Sequence, residues 1–383
     1  MNSGPSIVSL RATAHRLAER MRDGRPLAFM EICGTHTVSL LRSGVKSLLP
    51  PSIRLVSGPG CPVCVTPQGY LDAACGLALD HGVTILSYGD MIRVPGSKLS
   101  LAQARAEGAR VEVVYSARAA VRYAAEHPQE EVVFLAIGFE TTTPASAVTV
   151  LEAQAAGVDN LSLLVGHKRV LPAMAALLED GIPLDGFLCP GHVSVIIGTE
   201  VYRPIVRRYG KACVVAGFEP ESMLEAICRL VDMVQTHRPG VANCYPVAVR
   251  PEGSPRARRL IDQVFRTADS VWRAMGTIPD SGLRLREEYA RFDAQRRFDL
   301  SIDSDEHPPG CICGEVIQGK CEPAQCTHFG RGCTPSHPIG PCMVSSEGSC
   351  AASYKYGRIV PASDGCASPR PVREETPMQE ETV

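Results

Sequence analysis

The sequence predicts an α/β protein: two similar parallel-sheet α/β domains facing a cleft, followed by a loop-rich, partly helical domain organised around cysteines. Three observations carry this. Between residues 26 and 216 short apolar runs alternate with helical segments, the pattern of parallel strands joined by crossover helices. The runs form two sets with similar turns at matching places. Beyond about residue 238 the alternation stops, and seven of the 16 cysteines gather between Cys311 and Cys350.

Taken in order, residues 5–22 place Ile7, Leu10, Ala14, Leu17, Ala18 and Met21 at helical spacing among arginines, which predicts an amphipathic helix packed on a neighbouring domain. The first set of strands is Pro26–Ile32, Ile53–Ser57, Val83–Tyr88 and Val111–Tyr115. The second is Val132–Ile137, Leu161–Val165, Gly186–Cys189 and Ala212–Ala216. The first strand of each set enters a Gly/Thr-rich turn, at residues 33–37 and 138–144. The third runs into residues 88–96 in one set and 190–198 in the other. This reads as a duplicated α/β unit. A helix over roughly Pro255–Met275 and an Arg-rich stretch around Leu283–Arg297 precede the cysteine segment. The expected division is therefore 1–24, an N-terminal helix; 25–125 and 126–238, the two α/β domains; 239–360, the cysteine domain; and 361–383, a disordered Ser/Pro/Glu/Thr tail.

Composition narrows the function. With 45% hydrophobic and 21% charged residues and a net charge of -2, the chain reads as soluble and globular, with no basic nucleic-acid face. The first 30 residues lack the uninterrupted apolar core of a signal peptide, and no span resembles a membrane helix. Cysteines in a chain without an export signal point to metal or redox chemistry in the cytoplasm.

Four motifs carry that chemistry. The segment Cys311, Cys313, Cys321, Cys326, Cys333, Cys342 and Cys350 has irregular spacing and no Cys-x-x-Cys knuckle, which favours an iron–sulfur cluster over a zinc site with spare thiols. Gly58-Pro-Gly-Cys-Pro-Val-Cys64 follows a strand, so Cys61 and Cys64 read as a redox dithiol at a helix N-terminus. Cys33 and His36, also just after a strand, could bind iron or act as nucleophile and base. His192, with Glu219 one strand later and Glu140 in the matching loop of the repeat, could orient or protonate a small ligand, or merely cap helices. Cys75, Cys213, Cys228 and Cys244 lie in apolar runs and read as core. In a parallel α/β sheet, ligands collect where the strands' carboxyl ends meet the loops, and these motifs occupy such loops.

The motifs Cys-Gly-Thr-His-Thr, Gly-Pro-Gly-Cys-Pro-Val-Cys, Gly-Phe-Glu-Thr-Thr-Thr-Pro, Pro-Gly-His-Val-Ser and Cys-Met-Val-Ser-Ser-Glu-Gly-Ser-Cys run in order from residue 31 to 350. Together they closely resemble the HypD family of hydrogenase maturation factors. The resemblance implies a [4Fe–4S] protein that builds the Fe(CN)2CO unit of [NiFe]-hydrogenases with a HypC-like small chaperone and a HypE-like cyanide donor. By position it implies Cys311, Cys326, Cys333 and Cys350 as cluster ligands and Cys313/Cys342 as a redox pair. Cys61/Cys64 becomes a second dithiol and Cys33 a transient iron ligand. Cys321 has no place in this scheme, and Cys366 lies outside it. The expected work is reductive C–S cleavage and ligand transfer to iron. Electrons would pass from the cluster through Cys313/Cys342 to Cys61/Cys64, with His36, His192 and Glu219 holding or protonating the ligand at Cys33. Two other readings remain at this stage: a non-redox iron scaffold with a structural cluster, and a stand-alone cluster-dependent thiol-disulfide reductase.

Overall fold

A computed structural model describes residues 7–357 apart from 23, 303 and 305–307. The expected tail at 361–383, with Cys366, lies outside the described residues. Among the described residues eleven strands are formed: β1 Leu27–Glu31, β2 Ile53–Ser57, β3 Thr84–Ser87, β4 Val111–Val113, β5 Val132–Gly138, β6 Leu161–His167, β7 Gly186–Pro190, β8 Ala212–Ala216, β9 Val241–Asn243, β10 Phe265–Trp272 and β11 Gly276–Leu285. They make one parallel sheet in the order β2-β1-β7-β8-β9, a second in the order β4-β3-β5-β6, and an antiparallel hairpin β10-β11. All seven residues of β5 are buried, as a strand covered by helices on both faces requires.

The α/β class and its two parallel sheets are as expected, but the sheets do not divide the chain at 125/126. β1 and β2 pair with β7, β8 and β9, while β3 and β4 pair with β5 and β6. The chain passes from the first sheet to the second after β2 and returns at β7. Similar turns reveal where strands end; they carry no information about which strand lies alongside.

The segment 239–360 is also not a separate cysteine domain. β9 completes the first sheet, and Phe265, Leu283, Leu285 and Phe292 share a core with Phe134, Leu161 and Leu163 of the second. The helix expected over Pro255–Met275 stops at Val264, and the chain continues as β10. From there Phe265 and Trp272 are buried while Arg266 and Asp269 face solvent, so the hairpin needs only one apolar face against the sheet.

The N-terminal helix Ile7–Arg20 buries Ala14 and Leu17, with Met21 just beyond it, and packs on the helix Pro220–Gln235, where Arg20 pairs with Asp232 at 2.5 Å. Cys75 and Cys213 are core residues, whereas Cys228 and Cys244 are half-buried. Among the described residues no helix is long and apolar enough to cross a membrane. The largest core cluster joins Val63 and Val65 after β2, Ile137 and Phe139 at the end of β5, and Cys313, Cys333, Cys342 and Cys350. The cysteine segment therefore closes the junction between the sheets.

Candidate functional site

In the first sheet the strand order reverses direction between β1 and β7, the switch point at which α/β sheets open a crevice. The loops there hold the predicted residues: Cys33 and His36 after β1, Cys61 and Cys64 after β2, His192 after β7, and Phe218 and Glu219 after β8.

Cys33 is the N-cap of the helix Gly34–Arg42. Its turn is braced by the buried Glu31 carboxylate, which accepts the Cys33 N–H at 3.3 Å and the Thr37 hydroxyl at 2.5 Å. The Gly58-Pro-Gly60 turn lies directly on it: the Gly34 N–H donates to Gly60 O at 3.1 Å, and a Cβ on Gly60 would strike the Cys33 backbone. Gly60 is thus required by close approach, and it brings the second motif onto the first. Cys61 caps the short helix Pro62–Val65, its sulfur accepting the Cys64 N–H at 3.2 Å, and the two cysteines are joined as a disulfide with Cα atoms 5.3 Å apart. Burial first, and the charge of Glu347 second, push the Cys33 thiol up to about 12.

His36 is completely buried. Its Nε2 lies 2.9 Å from the Gly217 carbonyl, which can only accept, so the ring is the Nε2–H tautomer. Burial pushes its pKa down to about 4. At neutral pH this imidazole is uncharged, and it holds the β8 loop against the Cys33 helix. Phe218 stacks on the exposed His192 at 3.9 Å and meets His36 with tilted rings at 4.9 Å. His192 is thereby fixed at the rim with a ring open to solvent. Glu219 is exposed beside Phe218 at the start of Pro220–Gln235. Glu140 stands apart, buried at the end of the second sheet, where it accepts the Val170 N–H at 3.1 Å.

One residue missed in the sequence completes the site. Glu347, within the Cys342–Cys350 loop, accepts the Thr35 hydroxyl at 2.6 Å, and its negative charge is felt by both Cys33 and His192. The second sheet grips the same loop. Asp90, after β3, accepts from Ser345 Oγ at 3.2 Å, Ser346 N at 3.0 Å and Ser346 Oγ at 3.1 Å, and Arg93 donates to Val344 O at 3.4 Å. The loop is clasped from both sheets and sets Glu347 beside Cys33. Its only sequence signal was a serine–glutamate run inside a cysteine motif.

Six thiols line one small cavity: Cys311, Cys313, Cys326, Cys333, Cys342 and Cys350, closed by Ile312, Phe329, Gly340 and Met343. Cys321 does not line it. Cys311 and Cys313 share a hydrogen bond, as do Cys342 and Cys350; the partner's proton holds Cys311 down at about 7 and lowers Cys342, while Cys313 and Cys350 are raised. A Cβ on Gly340 would come within 2.7 Å of the Cys311 sulfur, so glycine is needed for the thiols to close round. Among the described residues no three His, Cys, Asp or Glu converge to hold a single metal ion. The donors are soft and spread around a space, an arrangement suited to a polynuclear centre held by four thiolates. The helix Pro341–Val344, which carries Cys342, packs on the helix Pro62–Val65, which carries Cys64.

A family model described as "HypD: Hydrogenase formation hypA family" matches residues 9–357. The chain is 46% identical over 358 residues to the hydrogenase maturation factor HypD of Cupriavidus necator, covering 91% of this chain and 94% of the relative. It is 45% identical over 359 residues to HypD of Azotobacter vinelandii, covering 91% and 95%. A putative hydrogenase expression/formation protein of Methanocaldococcus jannaschii is 41% identical over 345 residues, covering 90% and 95%.

Proposed function

Because the chain belongs to the HypD family of hydrogenase maturation factors, we propose that it is the platform on which the Fe(CN)2CO unit of a [NiFe]-hydrogenase is assembled, with a HypC-like chaperone and a HypE-like cyanide donor as partners. The single observation that carries this reading is the seating of the Cys61–Cys64 segment, which touches the Cys33 turn on one side and the Cys342 helix on the other. That seating supports reading Cys61 and Cys64 as a redox pair between the Cys33 thiol and the thiol-lined cavity.

Cys311, Cys326, Cys333 and Cys350 would hold a [4Fe–4S] cluster, and six soft donors around one cavity support that choice. Such a cluster supplies electrons one at a time. Cys313 and Cys342 remain on the same cavity as a dithiol that can store two. At the site, a donor cysteine bearing cyanide as a thiocyanate must lose its carbon–sulfur bond by a two-electron reduction. Reduced Cys61 and Cys64 balance that step. Their two thiols close to a disulfide, one proton goes to the donor sulfur, and the other leaves with cyanide, as hydrogen cyanide, before cyanide binds the iron cargo. His192, exposed and anchored by Phe218, is placed to take that second proton. Cys33 is protonated at rest, so cargo binding releases its proton, and the partly buried Glu347 is placed beside it as acceptor.

Anaerobic purification with the two partners, followed by infrared spectroscopy, tests this reading. Metal-bound cyanide and carbonyl bands are expected in wild type and should be absent in Cys33→Ala. Equal bands in the variant would refute the placement of the iron.

A further inference from the structure

The loops that leave β1, β7, β8 and β9, four neighbouring strands of the first sheet, hold the rings of His36, His192, Phe218 and Tyr245. Three of these belong to the site already described. Tyr245 does not, yet it lies on the turns that carry the two rim rings. A Cβ at Gly217 would come within 2.9 Å of Tyr245 Cδ2, and one at Gly191 within 3.2 Å of Tyr245 Cδ1. The ring therefore rests on the backbone just before Phe218 and just before His192. It also meets Phe218 edge-on, with centroids 6.1 Å apart and planes at 84°.

Tyr245 is itself held by a closed turn. Its N–H donates to Asn243 Oδ1 at 2.9 Å, its carbonyl accepts the Val249 N–H at 3.0 Å, and the Asn243 amide donates to Val249 O at 2.9 Å. Ser222 joins this turn to the β8 loop, its hydroxyl accepting the Gly217 N–H at 2.8 Å and donating to Cys244 O at 3.0 Å.

We propose that Tyr245 is a positioning residue for cyanide transfer: its ring holds Phe218 against His192 and so fixes the His192 imidazole at the rim of the Cys33 site. The inference rests on the reading of His192 as the acceptor of the proton that leaves with cyanide. An exposed side chain is free to change rotamer. Stacking on Phe218 at 3.9 Å selects one orientation of His192, and it does so only while Phe218 stays in place. His36 bears on Phe218 from the Cys33 helix, and Tyr245 closes its edge. A base kept in one orientation takes up a proton without first having to find it. These contacts are made by ring carbons, so the place requires an aromatic ring and not a hydroxyl.

The test uses the full chain, prepared anaerobically, with two readouts. The first is the rate at which metal-bound cyanide bands appear in the infrared with both partners present, measured against donor concentration. The second is the nuclear magnetic resonance of the His192 ring at pH 8 in protein labelled at histidine, assigned with His192→Asn; a ring stacked face-on gives signals upfield of an exposed histidine. In Tyr245→Leu the maximal rate should fall about tenfold, the half-saturating donor concentration should stay within about twofold, and the His192 signals should move toward the exposed position. Tyr245→Phe should match wild type in all three. An unmoved maximal rate in Tyr245→Leu would overturn the proposal, and so would a fallen rate with unmoved His192 signals, since Tyr245 would then act by another route. If Tyr245→Leu does not unfold cooperatively, Tyr245→Phe decides: a rate within about twofold supports the role of the ring, and a larger loss overturns it. Wild-type chain that yields no metal-bound cyanide with both partners would take down the proposed function and this inference together. Normal transfer with an indifferent Tyr245 would remove the inference alone.

Discussion

Replacing Glu347 with Gln probes the site with least disturbance, because an amide oxygen can still accept the Thr35 hydroxyl bond while the charge is gone. Burial is the larger cause of the raised Cys33 pKa of about 12, and Glu347 the next. At pH 8 a thiol with that pKa is thiolate for only about one molecule in 10,000. For a generic separation of about 6 Å and an effective dielectric of about 20, a unit charge is worth roughly 3 kcal/mol. Glu347 is partly exposed, so solvent screening reduces this to about 1.4 kcal/mol, or about one pKa unit. Alkylation of Cys33 by iodoacetamide, quantified on its own peptide by mass spectrometry, should therefore be about tenfold faster in Glu347→Gln at pH 8. The pH–rate curve should move about one unit toward acid. An unchanged rate and unchanged curve would show that Glu347 does not face Cys33, and the clasped loop would lose its functional meaning.

Other outcomes follow from the same geometry. Asp90→Ala removes three hydrogen bonds to Ser345 and Ser346, each worth about 1 kcal/mol or more; hydrogen exchange at residues 345–348 should accelerate at least tenfold, while exchange in β5 stays unchanged. Gly60→Ala puts a methyl group into the Cys33 backbone, and thermal unfolding should show a loss of about 1–3 kcal/mol. Glu140 is pushed up to about 7 by burial, from 4.5. It contributes stability that is full below pH 4.5 and lost as pH rises to about 7, by about 3 kcal/mol at most. Glu140→Gln should flatten the denaturation midpoint across that window. His36, pushed down from 6.5 to about 4, acts in the opposite sense: the stability it contributes above pH 6.5 is lost as pH falls toward 4, and His36→Asn should be less sensitive there.

The strands were legible because each is a short β-branched or apolar run bounded by turn residues; Ile53–Ser57 is found at the expected residues. The site's loops were legible for a related reason, since Cys33, Cys61 and His192 all follow such runs directly. Pairing was not legible. Parallel strands carry no local mark of their neighbour, so the return of the chain to the first sheet at β7 left no trace in the turns that suggested a duplication. The helix expected through Met275 failed because Val264 and Phe265 continue an apolar pattern whose period changes there from helix to strand. Glu347 and Phe218 were missed because their roles arise from contacts across more than 180 residues of chain: Thr35 with Glu347, and His36 with Gly217 beside Phe218. The complete burial that keeps His36 uncharged leaves no mark in the sequence, where a histidine near a cysteine suggests proton transfer.

The central claim is that the Cys61/Cys64 pair carries the electrons used at Cys33. The direct measurement is hydrogenase maturation supported by Cys61→Ala and Cys64→Ala variants whose iron and sulfide contents match wild type. Both variants should retain about four iron and four sulfide per chain and lose maturation. Full maturation with an intact cluster in either variant would contradict it.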